Sequence, residues 1–487
     1  MLRWLAILSA LLLLPSCSRQ VADGTVDVAY ISDGEDIFAQ GIRIGPGAQL
    51  VRAARWEGLV RLDAQGQVVP ALAERWIVTD DGLSYIFRIR ELDRENGDRL
   101  TAQTVRRALT RTIDAVKGTS LGLDLGKISE VRAVTGRVVE IRLVSPMPGL
   151  LQLLAQPELV VRIEDMPTGL MTMRLKNDVA TFTPLPPQQR GLPEQGDWEE
   201  RIRPVLLRKT TARDAVAGFA NDRFDVILGG RVQDFPLAAS GALSRGTVRL
   251  DGALGLFGLD VVRPTGFLAS AENREALAMG LDRGSLIEPL GVGGWQASAR
   301  IVPDGLPGLG TARPPRWNGQ PVDVLRDVAN QRIAQWKAAN GGEVQLALRL
   351  PEGPGSNILF AELAGQFAEI GVTLVRADAQ QPADLALRDR VARFDGPRWF
   401  LGQFHCSIEP RLCAPEADEL VRLSNEARDP AVQAQYLAQA EGVLTATNLY
   451  IPLGAPIRWS QVRSDVPGFA ENPWAFHPLF PLSGAPM

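Results

Sequence analysis

Val69-Pro70-Ala71-Leu72-Ala73-Glu74-Arg75-Trp76, followed by Asp80-Asp81-Gly82-Leu83-Ser84-Tyr85-Ile86-Phe87-Arg88-Ile89-Arg90, carries the firmest pattern in the chain. The Asp-Asp-Gly triplet supplies a tight turn, because glycine reaches positive φ without a steric penalty. After it, apolar and polar residues alternate with period two, as in a half-buried strand. Upstream, Glu57-Gly58-Leu59-Val60 runs into a turn at Asp63-Ala64-Gln65-Gly66. Downstream, Thr101 can cap a helix whose Val105, Ala108, Leu109, Thr112 and Ile113 fall at helical spacing. Val138-Val139-Glu140-Ile141-Arg142-Leu143 then alternates again. The region reads as antiparallel hairpins accompanied by one helix.

Outside it the style is α/β. Val26–Ile31 predicts a first strand, with a loop and the beginning of a helix extending to about Ala54. Val344, Leu346, Leu348 and Leu350 alternate along a strand, Ile358 to Ile370 has helical periodicity closed by Gly371, and Val372–Val375 is the next strand. That βαβ order predicts a parallel pair with a right-handed crossover. Asp429 with Pro430 starts a helix that keeps Val432, Tyr436, Ala440 and Val443 on one face. Pro184 to Pro193 is the most loop-like stretch.

Composition narrows the class. With 45% hydrophobic and 22% charged residues and a net charge of −4, neither disorder nor a polyanionic partner is indicated, so nucleic acid is not expected. A chain of 487 residues suggests two or three domains with ample cores. Cys406 and Cys413 have six residues between them. In an oxidising compartment a disulfide is the natural pairing, stabilising by roughly 2 to 3 kcal/mol if unstrained. Metal ligation is the alternative because His405 is adjacent, but a second pair of ligands is lacking. No metal or cofactor is expected.

Glu57-Gly58-Leu59, the Val69–Trp76 run, the Asp80–Arg90 run and Asn96-Gly97-Asp98-Arg99-Leu100-Thr101-Ala102 together resemble, in order and spacing, the signature of family 5 extracellular solute-binding proteins. Ala217-Gly218-Phe219 through Asp225-Val226, Arg274 to Arg283, Ile451-Pro452-Leu453 and Val466-Pro467-Gly468-Phe469 extend the likeness over most of the chain. The resemblance implies a two-lobed periplasmic-binding-protein-like α/β fold of type II, with an inserted subdomain in the first lobe. The implied layout is lobe I at residues 17–55, 170–262 and 466–487, the insert at 56–169, and lobe II at 263–465. It further implies a monomer that captures a peptide-like or other small polar solute by hinge closure and serves the permease and ATPase subunits of an ABC importer.

Two departures bear on the ligand. The Gly-Thr-Gly-Pro-Tyr segment of many members is reduced to Pro167-Thr168-Gly169-Leu170, and Trp399, in the place of the family's cleft tryptophan, is followed by Phe400-Leu401-Gly402-Gln403 with no acid. A charged ammonium in a dry cleft needs an anion, so the lost acid weakens the case for peptides. The resemblance places Trp399, with Arg398 and Asp395 beside it, at the cleft, together with Asp33 and Asp36 after the first strand. A tryptophan there can stack on a ligand or take a cation on its face; a core or interlobe position is the alternative. Three other readings stay open. One is an exported enzyme, since Gly118-Thr119-Ser120-Leu121-Gly122 has the letters of a nucleophile elbow but follows a predicted helix where that motif needs a strand. The second is a metal receptor, and the third a divergent receptor with a sensing or envelope-docking role.

The chain opens with Met1-Leu2-Arg3, an apolar run from Trp4 to Leu14, then Pro15-Ser16-Cys17. The run is too short to span a bilayer, and Leu14-Pro15-Ser16-Cys17 resembles the lipobox of bacterial lipoproteins. The expectation is a signal peptide over 1–16, a lipid on Cys17, and a periplasmic body tethered to a membrane by that lipid. Ser18 in place of an acid favours the outer membrane. Sucrose-gradient fractionation of the host envelope should recover the protein with outer membrane and Cys17→Ser should release it; recovery only with inner membrane would refute the sorting.

Overall fold

A computed structural model describes residues 24–32, 34–91, 100–162, 168–239, 246–311 and 314–485. Val26–Ile31 forms a strand with nearly every side chain buried, as expected at the centre of a sheet covered on both faces. It pairs in parallel with Val205–Thr210 on one side and Val226–Arg231 on the other. Val28 and Tyr30 pack in a cluster with Leu50 and Val51 of the helix Pro46–Arg55. Ala29 and Ile31 join a second cluster with Ala215 and Phe219 of the helix Ala212–Ala220. Seven strands complete this sheet in the order Val248–Asp251, Arg458–Val462, Val226–Arg231, Val26–Ile31, Val205–Thr210, Val179–Pro184, Met171–Lys176.

The second lobe is built on a five-stranded sheet in the order Val372–Arg376, Val344–Arg349, Leu385–Val391, Gly255–Val261, Tyr450–Gly454. The βαβ unit is present: Val344–Arg349 and Val372–Arg376 are parallel, joined through the helix Pro354–Glu369. The helix Pro430–Thr447 begins at Asp429, whose carboxylate accepts the Ala431 amide at 2.8 Å.

Between Arg55 and Gly169 lies the insert. Its antiparallel sheet runs Ala73–Val78, Ser84–Ile89, Val138–Leu143, Ile128–Thr135, and Phe87, Ile89, Val139 and Ile141 share a core with Val105 and Leu109 of the helix Ala102–Ala115. Entry and exit lie side by side, for the Gly169 amide donates to the Arg55 carbonyl at 3.0 Å and the Glu57 amide to Thr168 Oγ1 at 3.2 Å. The Glu57 carboxylate is buried between Arg90 at 2.9 Å and Arg61 at 3.4 Å. Burial pushes this carboxyl upward, and the two guanidinium groups oppose that shift. Among the described residues no helix is long and apolar enough to cross a membrane.

The chain passes between the two large sheets at 252–254 and returns at 455–457, inside the expected limits of 262 and 465. Gly255–Val261 therefore belongs to the second lobe and Arg458–Val462 to the first. Each crossing takes only three residues between one strand and the next, too few to stand out in the sequence as a separate loop. The first crossing is held tightly: a Cβ on Gly255 would stand 2.0 Å from the Arg390 carbonyl oxygen of the neighbouring strand. Gly255→Ala should cost about 2 to 3 kcal/mol by overpacking, read as a lower midpoint in denaturant melts; an unchanged melt would contradict this strand approach.

Candidate functional site

The two crossings form the floor of an interlobe cleft of about 390 Å³, with Leu250, Ala253, Leu256, Trp295, Ile301 and Ile457 among its walls. Its volume lies at the lower end of small-molecule sites, which run from about 300 to 1,000 Å³. One wall is the loop 292–298, fastened to the return crossing. Ser298 donates its amide to the Leu453 carbonyl at 3.0 Å, Ala455 to Gln296 at 2.9 Å, and Trp295 Nε1 to the Ala455 carbonyl at 2.8 Å. The Trp295 ring stands edge-on to Phe257, 6.4 Å between centroids. Gly454 is required beneath it, since a Cβ there would meet Trp295 Cζ2 at 2.4 Å.

Charged groups at this cleft are matched by protein partners. Arg458 lies 2.8 Å from Asp389 Oδ1, and its Nη1 donates to Oδ2 at 2.9 Å. Arg300 contacts both Glu441 oxygens, at 2.6 and 3.3 Å, and also pairs with Asp304. Asp251 accepts the Asn472 amide at 3.0 Å and faces His477 Nε2 at 3.1 Å. Behind the cleft Arg388 Nε bridges the Asp260 carboxylate at 2.7 and 3.0 Å. Burial pushes Asp260 upward against the pull of that guanidinium and raises the Tyr450 phenol well above its ordinary value.

The residues singled out from sequence lie elsewhere. Trp399, on the helix Pro397–Gly402, is 2% exposed and edge-on to Phe400 at 4.9 Å. It belongs to an apolar core in which Phe394, Phe400 and Phe404 of lobe II meet Leu121, Leu125 and Leu150 of the insert. In this structure it is an interlobe core residue and not a wall of the hinge cleft. Arg398 is also buried, donating to Asn425 Oδ1 at 2.9 Å and to the Asp124 carbonyl. Asp395 is part-exposed on the preceding loop. Asp33 lies outside the described residues, and Asp36 is exposed, accepting the Phe38 amide at 3.0 Å. Their neighbour Glu35 has a structural task missed in sequence: its carboxylate accepts the Gly47 and Ala48 amides at 2.9 and 3.2 Å, capping the helix Pro46–Arg55.

Cys406 and Cys413 are bonded to each other, so neither is a free thiolate. His405 faces Asp418 at 3.8 Å, and among the described residues there is no cluster of three His, Cys, Asp or Glu able to hold a metal. Cys17 lies outside the described residues. Ser120 follows a turn after the helix Ala102–Ala115, not a strand, and its Oγ accepts Arg393 Nη1 at 3.1 Å. That is not the setting of a nucleophile elbow.

The interface between insert and lobe II contains a buried carboxyl. Asp124 is pushed up to about 7 by burial, opposed by Arg393 and Arg398. An acid raised in the folded state binds its proton more tightly there, so its contribution is fully present below about pH 4 and is lost as pH rises through about 7. Asp124→Asn should therefore raise the melting midpoint at pH 8 and leave it unchanged at pH 4. Equal effects at both pH values would contradict the buried acid.

Comparison with known proteins agrees with this architecture. Residues 67–183 match the family model described as bacterial extracellular solute-binding proteins, family 5 Middle. A probable deoxycholate-binding periplasmic protein, YgiS of Escherichia coli K12, is 32% identical over 146 residues, covering 26% of this chain and only 27% of that protein. A probable di/tripeptide-binding protein of Pseudomonas aeruginosa is 24% identical over 483 residues, covering 85% and 87% of the two chains. Among solved structures, Haemophilus influenzae OppA in complex with RPPGFSPFR superposes with a TM-score of 0.75 at 16% identity, over 94% of this chain and 99% of that one. AgaA of A. tumefaciens R10 in complex with agropinic acid gives 0.68 at 18% identity, over 93% and 96%. These relatives are binding proteins and not enzymes. Residues 67–183 thus match the family 5 model, and over nearly its full length the chain shares the two-lobed fold of these solved binding proteins.

Proposed function

We propose that this protein is an exported receptor that captures a small solute at the hinge cleft by closure of its two lobes. It then presents the solute to the permease and ATPase subunits of an ABC importer, while a lipid on Cys17 holds it at a membrane. The observation that carries the reading is the pair of three-residue crossings, 252–254 and 455–457, lying at the floor of a ligand-sized cleft. Short crossings let each sheet move as a body while the connecting backbone absorbs the rotation. The loop bearing Trp295 is bonded to the return crossing, so hinge rotation and the shape of the cleft are mechanically coupled.

A second reading, docking or sensing without transport, draws on the apolar core shared by insert and lobe II, which ties those two parts together. Solute binding separates the two. A delipidated protein that is a receptor should show a melting midpoint rising with solute concentration, by the equivalent of about 2.7 kcal/mol at one hundred times Kd. Peptides, bile acids and opines form the first panel, following what the relatives are named for. No shift with any of these or with broader sugar and metal panels would favour docking.

A further inference from the structure

We infer that the hinge cleft selects an uncharged, largely apolar small molecule over a zwitterionic peptide; the inference rests on solute capture at this cleft as proposed above. Beside the neutral, buried phenol of Tyr450, three charged side chains line it: Asp251, Arg300 and Arg458. Each is committed elsewhere within the protein, Arg458 to Asp389, Arg300 to Glu441 and Asp304, and Asp251 to the Asn472 amide and His477. Asp251 and Arg458 are themselves 9% exposed, so neither can exchange its partner for a ligand without leaving an opposite charge buried and unpaired. A peptide ammonium or carboxylate entering the cleft would be desolvated without a counter-charge, which is costly.

What remains for recognition is apolar surface. Leu250, Ala253, Leu256, Ile301 and Ile457 present aliphatic side chains, and Trp295 adds an aromatic wall whose indole N–H is already spent on the Ala455 carbonyl. The polar side chains on the rim are also engaged: Gln296 Nε2 donates to the Gly294 carbonyl at 3.0 Å, and Ser298 Oγ to the Arg300 carbonyl at 3.3 Å. A volume of about 390 Å³ suits a compact molecule and is small for an extended oligopeptide. Affinity would then come from apolar burial, with a negative heat-capacity change and little dependence on salt.

The test is calorimetric titration of the delipidated protein with N-acetyl-leucine amide, which is uncharged, and with the zwitterionic dipeptide Leu-Leu. The uncharged probe should bind at least tenfold more tightly, with Kd unchanged within twofold between low and high NaCl. Gly293→Asp, which places a carboxylate on the exposed rim of the cleft where an added side chain meets open space, should weaken the uncharged probe tenfold or more while circular dichroism and the melt stay those of the parent. Tighter binding of the zwitterion, or a steep salt dependence for the uncharged probe, would overturn the inference and leave solute capture standing. Absence of binding by either probe, with no response to the wider solute panel, would remove the capture reading and this inference together.

Discussion

The whole architecture depends on one constraint, the double passage of the chain between its sheets. Val248–Asp251 and Gly255–Val261 are almost one continuous run of chain, yet they belong to different lobes, and Tyr450–Gly454 and Arg458–Val462 repeat the arrangement in reverse. Because both passages lie together, glycines occur where backbone and rings must approach. Gly255 faces the Arg390 carbonyl, Gly454 lies under Trp295, and Gly230 lies under Trp459, where a Cβ would come within 2.2 Å of the indole. These contacts fix the first sheet, the return crossing and the loop at 292–298 relative to one another. The cleft is a consequence of that packing, which leaves space where the two passages diverge from the loop.

A second set of contacts joins the insert to lobe II. Apolar burial dominates there, through Phe394, Trp399, Phe400 and Phe404 against Leu121, Leu125 and Leu150. Polar bonds fix the register: Gln156 donates to the Arg393 carbonyl at 3.0 Å, and Lys127 reaches both the Pro146 carbonyl and Gln433. Burial pushes Lys127 down to about 7, while Asp124 on the same surface is pushed up to about 7. Burial thus makes the charged form of each group less favourable here than in solvent.

Much of the fold was legible in the sequence because local signals and tertiary burial agree. Alternation marked Ser84–Ile89, Val138–Leu143 and Val344–Arg349, Thr101 and Asp429 marked two helix starts, and the resemblance supplied the two-lobed frame. The crossings fall several residues inside the expected limits because a change of lobe made in three residues leaves no separate loop signal in the sequence. The site was less legible. Trp399 matched a family place by letter, but the core around it is decided by Phe394, Phe400 and Phe404 together with a distant insert. Trp295 lay in a Gly-Gly-Trp loop without periodicity, and Glu35 caps a helix that begins eleven residues later. Neither role has a local signature. The charge matching at the cleft joins residues as far apart as Arg300 and Glu441, or Asp251 and His477, and only the folded chain brings them together.

The central claim, hinge closure about the two crossings, is tested most directly by an interlobe distance. Leu175 on the first sheet and Val324 on the second lobe are both exposed, and with Cys406 and Cys413 bonded to each other, cysteines at 175 and 324 can carry spin labels selectively. In pulsed dipolar measurements, closure predicts a distance distribution whose populations shift when a solute that raises the melting midpoint is added. A distribution unchanged by such a solute would contradict it.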